Sequence, residues 1–137
     1  MYRIEKSFSI PVGHRLSKHE KKCKNIHGHN LSILVGLKSK TLDDNDMVMD
    51  FSILTDIVEG ILELWDHAII LNETDEELIE FLDKKGMKNI KLPFDPTAEK
   101  LSEIVFDYID EKLPAGVEMD YVTIFENDKA KATYTED

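Results

Sequence analysis

Two runs of alternating apolar and polar residues, 2–12 and 27–37, constrain this chain more than any other feature. In the first, Tyr2, Ile4, Phe8, Ile10 and Val12 share one parity, and Arg3, Glu5, Ser7 and Ser9 share the other. In the second, His27, His29, Leu31, Ile33, Val35 and Leu37 alternate with Gly28, Asn30, Ser32 and Gly36. A period of two is that of a strand with one buried face. Pro11 and Gly13 are expected to interrupt the first strand. Residues 15–26 are polar, basic and non-periodic, and read as a loop between two strands that can pair as a hairpin.

Beyond the hairpin the period changes. Ile53, Ile57, Ile61, Leu64 and Trp65, with Leu54 and Leu62, recur at helical spacing and predict a helix over about 52–65, with Asp50 or Ser52 as its cap. Asp75 to Lys85 predicts a short amphipathic helix stopped by Gly86, and 88–92 a short strand. A second long helix is expected after Pro96-Thr97, carrying Leu101, Ile104, Val105, Tyr108 and Ile109, and ended by Pro114 and Gly116. Strands over about 117–126 and 130–134 complete the chain. This order predicts a single α+β domain over residues 1–137, a four-stranded antiparallel sheet with two long helices on one face. So small a sheet leaves open edges, which closure by oligomerisation would satisfy.

Composition narrows the function classes. No apolar run approaches the ~18 residues of a membrane span, and no membrane partner is expected. Met1 to Lys6 contains no apolar h-region, so no secretory signal is expected. The single cysteine, Cys23, cannot form an internal disulfide, and the expected location is cytoplasmic. A net charge of −11 argues against nucleic acid as a partner. The charge is uneven, however: residues 1–30 carry seven Lys/Arg against Glu5 and Glu20, a local +5, while the remaining 107 residues carry −16. That asymmetry fits either a local anionic ligand or a solvated loop.

The histidines carry the chemical signal. His27 and His29 flank Gly28 at the start of a strand, so both imidazoles share a face at roughly 6–7 Å between Cα atoms. His14 lies at the end of the first strand's apolar face, so a hairpin would bring it beside them. Three neutral imidazoles with an open fourth position form a catalytic zinc arrangement, with the metal as Lewis acid. A cupin-type site would need a glutamate a few residues on, and residues 30–37 contain none. Cys23, among Lys21, Lys22 and Lys24, is open to three readings: a base or nucleophile whose thiolate the lysines favour, a fourth ligand closing a structural Cys-His₃ site, or loop filler. Asp66-His67 could orient one another at a catalytic centre, or His67 could simply favour a helix C-terminus. Glu126, ending an apolar strand, could face solvent or take a guanidine-like N–H pair such as a pterin or guanine edge.

Together these residues are more specific than any one alone. The order Phe8…His14-Arg15-Leu16, Cys23-x-x-x-His27-Gly28-His29, Met47-Val48-Met49-Asp50-Phe51, Asp66-His67…Leu71-Asn72, Pro96-Thr97-Ala98-Glu99 and Glu126 resembles the 6-pyruvoyl-tetrahydropterin synthase / 6-carboxy-tetrahydropterin synthase (queuosine pathway) family over nearly the whole chain. The resemblance implies a T-fold subunit that closes into a β-barrel as a trimer, commonly stacked into a hexamer. It implies 7,8-dihydroneopterin triphosphate as small-molecule substrate and Zn2+ held by His14, His27 and His29. Cys23 would be the general base, with Asp66 and His67 completing a relay across a subunit interface. Glu126 would anchor the pterin and Thr97 would sit near it. The charge asymmetry, rather than any family motif, suggests the basic stretch Arg15–Lys24 as the cation source for the triphosphate.

Several positions depart from the pattern. Phe8 and His14 are two residues further apart than in the compact motif, Trp65 stands where leucine is usual, Asn127 follows the anchor glutamate where threonine is common, and residues 75–95 are longer than in minimal members. The expected activity is triphosphate elimination to a 6-carboxy-tetrahydropterin. The alternatives are the 6-pyruvoyl product and a non-catalytic zinc or pterin-binding protein. A GTP cyclohydrolase-like site would call for a second cysteine, which is lacking.

Overall fold

In the computed structural model, which describes residues 1–19 and 21–137, strands β1 (Tyr2–His14) and β2 (His27–Ser39) pair antiparallel in one unbroken register, from Tyr2 opposite Ser39 to His14 opposite His27. The chain continues through α1 (Phe51–Trp65), β3 (Ile69–Asn72), α2 (Glu76–Lys84), β4 (Asn89–Leu92), α3 (Ala98–Asp110), β5 (Glu118–Phe125) and β6 (Lys131–Tyr134). The strands form one sheet in the order β4-β3-β1-β2-β5-β6. Residue 20, within the expected loop, lies outside the described residues; a single 3₁₀ turn, Lys22–Lys24, occupies part of the rest.

The expected antiparallel core is present as β1, β2, β5 and β6. The sheet is nonetheless larger than the sequence predicts, and mixed. β3 pairs parallel with β1 only at Gly13 and His14, and β4 pairs parallel with β3 along Ile69–Asn72. Strand β3 has only four residues and no usable alternation, with Ile70, Leu71 and Asn72 all buried. It is therefore invisible to a period-two reading. The expected interruption of β1 does not occur either. The Pro11 carbonyl accepts the His67 N–H at 2.9 Å on the side facing away from β2, so the missing proline N–H removes no bond from the β1–β2 ladder.

Local signals set the helix ends. Asp50 caps α1 by accepting from the Ser52 N–H at 2.8 Å, and Thr97 caps α3 by accepting from the Lys100 N–H at 3.2 Å. Helix α2 ends at Gly86, whose φ of +68° suits glycine, with Gly86 N–H donating to Asp83 O and Met87 N–H to Leu82 O. Helices α1 and α3 lie over one sheet face. Leu54, Val58, Leu101 and Val105 join Leu31, Ile33, Val35 and Val122 in one buried cluster. Burial at 25 cal/mol per Å² of apolar surface makes this the dominant cohesive term. A smaller cluster of Leu71, Ile79 and Leu82 holds α2 to β3.

Candidate metal and substrate site

The β1–β2 register builds the centre of the site. Directly opposed residues share a face, so His14 opposite His27 and Val12 opposite His29 place all three imidazoles at the end of the buried face. Their ring centroids lie 4.5, 4.8 and 4.9 Å apart, and one ligand atom from each lies within 4.8 Å of the others. His14 is 1% exposed and donates its Nδ1–H to the Pro96 carbonyl at 2.9 Å. His27 directs Nδ1 to the Asn25 carbonyl at 2.7 Å. These outer bonds fix the tautomer that leaves the Nε2 lone pair bare.

The Nε2 atoms of His14 and His29 are buried without any hydrogen-bond partner. Orphaned buried nitrogens are costly unless something else satisfies them. A divalent metal ion fits that need, and these three histidines could hold one. Burial lowers the His14 pKa from its usual 6.5, reinforced by His27 and His29; the Pro96 carbonyl and Glu126 push the other way. A neutral imidazole is the ligating form.

Cys23 is half-buried in the 3₁₀ turn, its carbonyl accepting the Leu16 N–H at 2.8 Å. Among the described residues it stands outside the group of mutually close ligand atoms, so the structure does not form the closed Cys-His₃ cage. Glu126 follows β5 one position beyond the Ser32–Phe125 pair, on the parity of buried Ile124, and its charge reaches His14. Its backbone N–H closes onto Ala130 O at 3.1 Å, while Asn127 Oδ1 accepts from the N–H groups of Lys129 and Ala130. The asparagine that departs from the family pattern thus caps the β5–β6 turn.

Asp66 and His67 do bond to each other, Oδ1 to Nδ1 at 2.6 Å. Within this chain they stand outside the three-histidine cluster, their side chains 45% and 79% exposed. His67 adopts φ +58° and borders the same hollow, about 500 Å³, as His27, Gly28 and His29. Thr97 uses its hydroxyl as the α3 cap, and the residue before it supplies the carbonyl that orients His14. Arg15 Nε lies 3.3 Å from Asp75 Oδ2 in an ion pair that lacks hydrogen-bond geometry. Asp95, which carries no signal in the sequence, accepts from Ser17 Oγ, Lys18 N–H and Asn72 Nδ2 at 2.9, 3.1 and 3.0 Å.

The 6-pyruvoyl tetrahydropterin synthase family profile matches residues 3–137. The chain belongs to that family. It is 32% identical to the 6-carboxy-5,6,7,8-tetrahydropterin synthase of Aquifex aeolicus (strain VF5), covering 99% of each chain. It is 36% identical to the protein of the same name from Haemophilus influenzae, over 82% of this chain and 86% of that one. Among solved structures it is similar to an uncharacterised protein from Wolinella succinogenes, with TM-score 0.86, 22% identity, and coverage of 99% and 98%. It is also similar to the Caenorhabditis elegans 6-pyruvoyl tetrahydropterin synthase, with TM-score 0.73, 23% identity, and coverage of 99% and 96%. These likenesses establish the T-fold; the chain is a member of a family of synthases. No described helix is long and apolar enough to cross a membrane.

Proposed function

We propose that this chain eliminates triphosphate from 7,8-dihydroneopterin triphosphate and forms a 6-substituted tetrahydropterin, with the 6-carboxy product preferred, in which water is taken up and the two outer side-chain carbons leave as acetaldehyde. The observation that carries the reading is the set of bare Nε2 atoms on His14 and His29, buried beside His27 and within the field of Glu126. The 6-carboxy preference is supported by the names of the relatives at 32% and 36% identity.

His14, His27 and His29 would hold the metal, which we take to be zinc because an all-imidazole donor set suits it. Bound there, zinc would polarise side-chain oxygens of the substrate and acidify the adjacent C–H bonds. Glu126 would accept the paired N–H groups of the pterin edge in fork geometry, with Thr97 near the ring. The Cys23 thiolate would take a proton from the substrate side chain as triphosphate departs. The Asp66 carboxylate would hold the His67 imidazole in one tautomer so that Nε2 can exchange a proton. Exposed Lys21, Lys22 and Lys24 would meet the phosphates.

The exposure of the Asp66–His67 pair supports its delivery to the site of a neighbouring copy. Among the described residues, β1 has a second strand neighbour only at Gly13 and His14, and β6 borders β5 alone. We take these edges to pair between copies and close a barrel as a trimer or hexamer. We also take residues 1–137 as one domain, supported by the profile match over 3–137, and cytoplasmic, supported by the single cysteine.

The test is zinc-loaded protein incubated with the triphosphate substrate, with products read by mass spectrometry. Release of triphosphate with a 6-carboxy-tetrahydropterin supports the reading. A 6-pyruvoyl product assigns the chain to the other branch. Binding without turnover makes it a non-catalytic zinc or pterin-binding protein.

A further inference from the structure

We infer that Asp95 is a positioning residue that fixes the Cys23 segment against the His14 imidazole, an inference that rests on the catalytic reading of Cys23 above. Asp95 sits in the loop between β4 and α3, far in sequence from both groups it serves. Its Oδ1 accepts from Ser17 Oγ at 2.9 Å and from Asn72 Nδ2 at 3.0 Å, and its Oδ2 accepts from the Lys18 N–H at 3.1 Å. Between Arg15 and Ser17, the Leu16 N–H donates to the Cys23 carbonyl at 2.8 Å. The carboxylate therefore holds the stretch of chain to which the thiol-bearing turn is tied.

The very next residue faces the metal-ligand cluster. The Pro96 carbonyl accepts the His14 Nδ1–H at 2.9 Å. One short loop thus grips the thiol segment with a side chain and the imidazole with the following main-chain oxygen. Asn72 stiffens the grip from below: it is 2% exposed, and its Oδ1 accepts from both the N–H and the hydroxyl of Thr74. Only a carboxylate offers acceptors on both oxygens to these three donors. An asparagine would turn an NH₂ toward at least one of them. A thiol on an otherwise exposed polar loop needs such an anchor, because a misplacement of about 1 Å costs roughly 10²-fold in rate.

Cys23 is the sole cysteine, so its alkylation by iodoacetamide reports the segment directly, with no need for turnover. In the full-length, zinc-loaded protein, D95N and S17A are expected to raise the alkylation rate by about threefold or more as the segment loosens. Zinc content should be undiminished. D95N should lower kcat by about tenfold or more while KM changes less than about twofold. Wild-type alkylation rates in both variants, or a kcat loss that only tracks loss of folded protein in thermal melts, would overturn the inference. If D95N does not fold, S17A, which removes one hydroxyl, decides by its alkylation rate. If the wild-type protein itself shows no turnover, the catalytic reading fails on its own, and the alkylation rates still decide whether Asp95 positions Cys23.

Discussion

His14 reaches across 82 residues of sequence to donate its Nδ1–H to the carbonyl of Pro96 at 2.9 Å. That bond joins the end of the first strand to the entrance of α3 and aims the bare Nε2 of a buried imidazole at His27 and His29. The strand register brings the three rings together; the carbonyls of Pro96 and Asn25 give His14 and His27 their direction.

Substituting Cys23 with Ser or Ala should leave zinc content unchanged and lower turnover by about 10²–10⁴-fold, the usual contribution of a proton-transferring group. Metal analysis beside single-turnover triphosphate release separates the outcomes. Loss of zinc would make Cys23 a ligand, and full activity would remove it from the chemistry.

Glu126→Gln should weaken pterin binding without loss of zinc. One carboxylate oxygen becomes a donor facing donors, a mismatch worth about 1–3 kcal/mol, or roughly 5- to 150-fold in affinity. Fluorescence titration with a neopterin ligand measures it, and wild-type affinity in the variant would place the pterin edge elsewhere.

Acid should weaken the Asp95 junction. Burial works to raise the Asp95 pKa but is outweighed by hydrogen bonds from Asn72, Lys18 and Ser17, leaving it below its usual 3.8. A depressed folded-state pKa gives stability that is complete above the unfolded value and is lost as pH falls through the folded one. The gap in melting temperature between wild type and D95N should therefore be constant above about pH 5 and shrink toward pH 3. A gap that is unchanged across that range would show that the charge is not what stabilises the loop.

Gly36→Ala should destabilise the sheet. The Tyr121 ring lies over Gly36, its hydroxyl donating to Glu5, and an added Cβ would overlap ring carbons. Displacing the ring costs about 1–3 kcal/mol by analogy with overpacking. Chemical denaturation reads the change, and G36A with a wild-type midpoint would contradict it.

How much of this was legible depends on whether the signal was periodic. The alternation in 2–12 and 27–37 sufficed to put His14, His27 and His29 on one face, because the hairpin register has no bulge between them. Helices α1 and α3 followed from their apolar spacing and caps. Strand β3 did not, since four residues buried in a parallel pairing carry no period. Pro11 looked like a break because nothing local tells which side of a strand its missing N–H faces. Asp95 and the Pro96 carbonyl were hidden for a further reason: Ser17, Lys18 and His14, which they hold, lie more than seventy residues away.

The most direct measurement is X-ray absorption at the zinc edge of the reconstituted wild-type protein. The account predicts a low-Z nitrogen/oxygen shell at about 2.0–2.1 Å with the multiple-scattering signature of imidazole, lost in H14A, H27A and H29A. A sulfur shell at about 2.3 Å would contradict it by putting Cys23 on the metal, and so would zinc retained after those histidines are removed.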